Sequence, residues 1–216
     1  MFNLKKLDRQ QAAKHICLYE GVIAHLYLDT RGNVTVGAGF LVGDEKALTK
    51  MTMRDKSTKK AASRAQKAQE FKAIAKLPEG RLASWYDQHC HLYLPHEECL
   101  KLLEKKIAEF EHELEVLFST QNGYIPFKKM PSNVQLALLD MAYNLGTTNL
   151  SRAWPKLLSA IRAENWTMAA KECRRKHVST ARNQATAKLF NHSGAVGPLR
   201  RVAHFLLNQL SLRLRR

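Results

Sequence analysis

Early in the chain the spacing of apolar residues changes period. From Leu4 to Tyr19 they recur as on one face of a helix, with Leu7, Ile16 and Leu18 among them. After Glu20-Gly21 the period drops to two: Leu26 and Leu28, a polar turn at Asp29-Thr30-Arg31-Gly32-Asn33, then Val34 and Val36. Gly32 and Asn33 suit a tight turn, so the pattern predicts a helix and then a β-hairpin. Residues 44–77 are rich in alanine and lysine, with a weak face of Ala61, Ala65, Ala68 and Phe71. Their helix propensity predicts a helix that holds little packing energy. Arg81 to Leu94 reads as a connecting segment carrying Trp85, Tyr86 and Tyr93.

From Pro95 the helical period returns. Leu100, Leu103, Ile107, Phe110, Leu114 and Leu117 form an apolar stripe opposed by glutamates, which predicts one long amphipathic helix. Gln121 to Met130 reads as a loop, and Pro131-Ser132 opens a helix through Leu145 that is apolar nearly all round, with Gly146 as its stop. Shorter helices are expected around Trp154 to Arg162 and from Asn165 to about Arg175, with Trp154 and Trp166 as core anchors. The stretch 198–216 is expected to form a basic amphipathic helix. These elements predict a mainly α (α+β) chain forming a single domain, 1–216. A small hairpin lobe covers about 15–95, and a helical lobe about 96–197.

Charge changes this picture. The 216 residues carry a formal +16, unevenly placed. Ten basic residues against Asp55 and Glu70 lie between Lys46 and Lys76, whereas Glu97 to Glu115 holds seven glutamates against three lysines. Such polarity draws a protein to polyanions. No zinc-finger spacing, aromatic ribonucleoprotein motif or helix-turn-helix accompanies it, so no nucleic-acid partner is expected, and the expected partners are anionic cell-envelope polymers. No apolar run is long enough to span a bilayer, and the N-terminus lacks the apolar core of a signal peptide. Cys17, Cys90, Cys99 and Cys173 show no CxxC pair and read as reduced thiols. His89, Cys90, His91, His96 and Cys99 carry ligand chemistry in spacings that fit no standard zinc site, so no metal is expected.

The candidate chemistry sits where the period changes. Glu20 falls at a helix C-terminus, whose partial negative charge disfavours an ionised carboxylate, while Asp29 falls in a wet turn where it stays ionised. Two carboxylates pushed apart in this way suit an acid and a base on opposite faces of a glycosidic bond. Spacing alone fits a polar helix end and an ordinary turn former at least as well.

The segment E-G-x7-D-x2-G-x2-T-x-G-x-G, with Glu20, Asp29, Thr35, Gly21, Gly32, Gly37 and Gly39 in register, resembles the catalytic segment of the phage-type lysozymes (endolysins, glycoside hydrolase family 24). Ala142-Tyr143-Asn144-Leu145-Gly146 is similar to the end of that family's central helix, and Ala181-Arg182-Asn183 to its later arginine motif. The resemblance implies a lysozyme-like fold and a muramidase that cleaves the β-1,4 bond between N-acetylmuramic acid and N-acetylglucosamine in peptidoglycan, without cofactor or metal. It makes Glu20 the general acid, with Asp29 and Thr35 holding the attacking water. Inverting chemistry of that kind places the two carboxyls about 6.5–9.5 Å apart. Asn144 would line the cleft and Arg182 would reach toward the catalytic glutamate.

Beside compact members of that family the basic stretch 44–77 is longer and reads as an insertion, and where many members carry histidine after the last glycine this chain has Phe40, which puts a local polar contact in question. On this reading the protein is a phage endolysin or an injected antibacterial effector. It is made in the cytoplasm and delivered to the periplasm or wall by a holin or a secretion apparatus, with an immunity protein as a further partner. Two alternatives stay open at this point, a lytic transglycosylase and a non-catalytic envelope-binding protein.

Overall fold

The computed structural model describes residues 8–192, which fall into two compact units, Arg9–Lys106 and the residues from Ile107 onward. Leu4 to Leu7 and the basic stretch 198–216 lie outside the described residues.

In the first unit, helix α1 (Arg9–Glu20) buries Ala12, Ala13 and Ile16. Leu18, expected on its apolar face, is instead 74% exposed. The helix ends at Gly21, whose N–H closes on the Cys17 carbonyl at 3.0 Å and whose φ of +72° favours a residue without a side chain. Strands β1 (Ile23–Leu28), β2 (Val34–Gly37) and β3 (Phe40–Leu41) follow as a three-stranded antiparallel sheet in that order. Tyr27 pairs with Thr35 and Leu28 with Val34, which fixes the hairpin register. All of β2 is buried, as a central strand covered on both sides should be. Leu26, Leu28, Val34 and Val36 join Leu48, Met53, Ile74, Tyr86, Leu92 and Leu94 in one core. Burying each such leucine is worth roughly 1.5–3 kcal/mol.

The insertion at 44–77 is not one helix. It is a short helix α2 (Glu45–Thr49), a strand β4 (Arg54–Asp55) and a helix α3 (Arg64–Ile74), with β4 paired to β5 (Leu92–Tyr93). Side-chain hydrogen bonding breaks the helical run. Asp44 caps α2 by accepting from the Ala47 N–H at 2.6 Å, and Asp55 accepts from the N–H groups of Ser57 and Thr58 at 2.9 and 2.8 Å. Ser63 and Gln66 then form a capping box that restarts the helix. Nor does α3 pack by alanine: its buried residues are Lys67, Glu70 and Ile74. The Lys67 ammonium donates to the carbonyls of Thr49 and Met51 at 3.2 and 2.6 Å, tying α3 to the end of α2. His25 clamps β1 to the 3-10 turn Ala83–His89, its Nε2 lying 2.9 Å from the Ala83 carbonyl and its Nδ1 2.9 Å from Asp87. Both partners are acceptors, so the ring satisfies both only when it carries both protons.

Helix α4 (His96–Leu117) begins in the first unit and ends in the second, with Leu103, Ile107 and Leu114 of its stripe buried. The second unit continues with α5 (Ser132–Leu145), α6 (Thr147–Ala153), α7 (Pro155–Arg162), α8 (Trp166–Glu172) and α9 (Thr180–Asn191). Helix α5 packs on α9, α9 on α8 and α8 on α7. Trp166 is a core residue as expected, whereas Trp154 is only half-buried.

Although apolar nearly all round, α5 carries the fully buried Asp140. Arg175 Nη2 donates to Asp140 Oδ2 at 2.7 Å, Arg182 Nε to Oδ1 at 2.9 Å, and the Thr186 hydroxyl to Oδ2 at 2.9 Å. Burial pushes the Asp140 carboxyl up, but the bonds and charges of Arg182 and Arg175 outweigh it and hold it below the usual carboxylate range.

Asp140→Ala would leave two buried guanidinium groups without their shared counter-charge, and we expect it to cost about 3–5 kcal/mol in urea unfolding at neutral pH. Because the folded carboxyl is depressed, its contribution is full above the unfolded value of about 3.9 and is lost as pH falls through the folded one. The gap between wild type and variant should therefore narrow on acidification below about pH 4. Equal unfolding midpoints at pH 7 would refute this account.

Candidate active site

Glu20, Asp29 and Thr35 all belong to the first unit and lie on one short stretch of its chain. Glu20 is the last residue of α1, is exposed, and precedes the left-handed Gly21. Asp29 opens the turn between β1 and β2. Its N–H donates to the Asn33 carbonyl and its own carbonyl accepts from Gly32, both at 3.0 Å. Gly32 has a φ of +73°, and a Cβ there would run into the Glu79 carboxylate. The turn is therefore built for glycine at that position.

Asp29 is held by the same turn. Its Oδ1 accepts from the backbone N–H of Arg31 at 2.8 Å and of Asn33 at 2.9 Å, and the Asn33 amide reaches Oδ1 and Oδ2 at 3.3 and 3.2 Å. Burial pushes this carboxyl up, but the bonds from the Asn33 and Arg31 backbone and the Asn33 amide win, leaving it below its ordinary value. Oδ1 is thus saturated, while Oδ2 takes only the one Asn33 contact and keeps lone pairs for another donor.

Thr35 is 3% exposed and lies directly across the hairpin from Tyr27. Its hydroxyl donates to the Asn33 carbonyl at 3.0 Å, a partner that can only accept. With its proton committed, Thr35 Oγ1 offers lone pairs alone. Asn33 therefore orients both groups, the carboxylate through its amide and the hydroxyl through its carbonyl.

Tyr27 was not anticipated from sequence. Its phenol is raised first by burial, then by the negative charge of Asp29, then by that of Glu20. Both acids therefore act on one half-buried ring. The signal was present in its place two residues before Asp29 on an alternating strand, but a strand tyrosine carries no chemistry by itself. Phe40, where a polar contact was in question, packs against the core of the unit.

Asn144 and Arg182 belong to the second unit. Asn144 is exposed near the end of α5 and lines a cavity of about 590 Å³ with Asn149, Trp154, Arg174, Lys176 and His177. Arg182 does not line that cavity; it is 4% exposed and held by Asp140. Among the described residues, no group of three or more His, Cys, Asp or Glu could hold a metal ion, and no helix is long and apolar enough to cross a membrane.

Residues 24–167 match the sequence profile of a family described as "Pesticin: Bacterial toxin homologue of phage lysozyme, C-term". The matched segment contains Asp29, Thr35 and Asn144, while Glu20 and Arg182 lie outside it. No curated protein gives a significant match.

Because Asn33 supplies its side-chain amide to Asp29, Asn33→Ala should raise the Asp29 pKa while leaving the backbone bonds in place. Side-chain carboxyl shifts followed by NMR would report this directly. An unchanged titration would mean that the backbone N–H groups alone hold the charge.

Proposed function

The chain belongs to the family of the pesticin C-terminal domain, the bacterial toxin homologue of phage lysozyme, and from that membership we propose that it is a muramidase. It hydrolyses the β-1,4 bond between N-acetylmuramic acid and N-acetylglucosamine in peptidoglycan. The observation that carries this reading is the pairing of Asp29 with Thr35 through Asn33, at a hairpin where the charges of Glu20 and Asp29 meet on Tyr27.

Hydrolysis with inversion needs a water whose lone pair faces the anomeric carbon and whose protons face acceptors. Asp29 Oδ2 and Thr35 Oγ1 are two such acceptors. The carboxylate takes a proton from the water as the oxygen–carbon bond forms. Thr35 takes the second water hydrogen as a hydrogen bond only, and so sets the direction of attack. Glu20 gives its proton to the leaving glycosidic oxygen, so that the departing sugar leaves as a neutral hydroxyl. The net change is one water added across one C–O bond.

General acid catalysis is typically worth about 10²–10⁴-fold, so Glu20→Gln should lower release of reducing ends from purified peptidoglycan by that factor without changing the melting temperature. The first product should carry the inverted α-anomer at its new reducing end. Products with a 1,6-anhydro ring, lighter by one water in mass spectrometry, would replace this reading with a lytic transglycosylase. Binding to the wall with no new ends at all would remove catalysis from the account.

A further inference from the structure

Several acids of the first unit are engaged by neighbouring groups, while many of its bases are exposed. Asp44 caps α2, Glu45 pairs with Lys72 at 2.9 Å, and Asp87 pairs with Lys56 at 2.7 Å and with His25. Glu70, 5% exposed, accepts from the N–H groups of His91 and Leu92 at 2.7 and 3.0 Å. Asp55 accepts from the hydroxyl and N–H of Ser57 and the N–H of Thr58, which hold its carboxyl at about 2. By contrast Lys46, Lys50, Arg54, Lys59, Lys60 and Arg64 are exposed.

Three of these cations sit on one rigid hairpin. Arg54 pairs with Tyr93 across β4 and β5 and bridges to Ala61, and its Nη1 lies 3.4 Å from the Lys59 carbonyl. The Lys59 ammonium stands 5.4 Å from the centre of the Tyr93 ring. Lys59 itself adopts a φ of +60°, a left-handed conformation that a side-chain-bearing residue rarely takes. A charged residue is thus fixed where glycine or asparagine would sit more easily.

The surroundings restrict what this surface takes. None of the exposed large apolar residues falls within 44–77, so the surface lacks the apolar anchor that a protein interface or a bilayer requires. Its one aromatic, Tyr93, already carries Lys59 on its face, leaving no free ring for stacking on a nucleic-acid base. What remains is an ordered array of cations suited to a flexible polyanion.

We propose that Arg54, Lys59 and Lys60, on the turn that the Arg54–Ala61 bridge closes, form a second wall-binding surface that holds the peptide-stem carboxylates of peptidoglycan. The choice of carboxylate rests on the muramidase reading, since the polymer cut at Glu20 and Asp29 carries acidic peptides along its length. Such a tether keeps the enzyme on an insoluble polymer between cuts, and it weakens with salt as exposed charge pairs do.

The test uses the full chain carrying Glu20→Gln, so that binding is read without digestion, and compares it with the same chain carrying Arg54→Gln, Lys59→Asn and Lys60→Gln as well. Sedimentation with purified sacculi across a salt series should show about tenfold or greater loss of affinity at low salt, and a flatter salt dependence, in the surface variant. Sacculi whose carboxyls have been amidated should bind both proteins equally weakly. With Glu20 restored, the surface variant should cut a short soluble glycan without peptides as fast as wild type. Equal binding by the two proteins would overturn the proposal, as would undiminished binding to amidated sacculi. Binding lost only when phosphate polymers are stripped from the wall would also overturn it, by assigning the surface to phosphate. A failure of the muramidase reading shows separately, as absent cleavage by wild type with the binding difference intact.

Discussion

The bonds that Asp29 accepts from Arg31 and Asn33 are the constraint on which the hairpin depends. A chain reversing between two strands must satisfy the N–H groups its turn exposes, and here a carboxylate does so. The same bonds hold that carboxylate as an anion, since protonation would cost it strong acceptor geometry. Turn formation and chemical readiness are thus one arrangement. Asn33 extends it by one step, because its carbonyl takes the Thr35 proton while its amide touches Asp29. One residue thus fixes the direction of both side chains.

Much of this was legible in the chain. The end of α1, the hairpin and the stripe of α4 each follow from a periodic pattern long enough to average over local exceptions. The position of Asp29 in a turn was legible too, because glycine and asparagine announce it. Residues 44–77 misled because helix propensity there is real but local. A single Asp55, by accepting from Ser57 and Thr58, offers the backbone a better alternative than a helical turn. Asp140 was hidden for the opposite reason. One acid in an apolar helix carries no periodic signal, and its two arginines arrive from positions 35 and 42 residues later. Long-range pairs of that kind are set by tertiary packing and leave no trace in spacing.

Net charge shows the same division between local and distant information. A formal +16 says that the surface is cationic but not which cations are free. The structure sorts them: Lys67 is buried against two carbonyls, Lys56 and Lys72 are paired, and Arg54, Lys59 and Lys60 are exposed while Asp55 is hydrogen-bonded within its own loop. Pairing removes a cation from long-range recognition, because beyond a Debye length the pair is nearly neutral. The number of bases in the segment therefore overstates its attraction for anions, and the ordered exposed ones set it.

The Asp140 network raises a different question, since buried ion pairs are poor sources of net stability. Three ionised groups are taken out of water here, and Arg175 Nε is buried without a hydrogen-bond partner among the described residues. Apolar side chains of equal volume would avoid both costs. They would not, however, fix direction. Arg182 meets Oδ1, while Arg175 and Thr186 meet Oδ2, so each oxygen is assigned to a particular partner. Sliding α9 along α5 by one turn would break these bonds at once, whereas an apolar contact would simply find a new neighbour. The network therefore acts on register more than on depth of burial. It holds the Arg182 guanidinium in one place, and with it the position of α9 along α5.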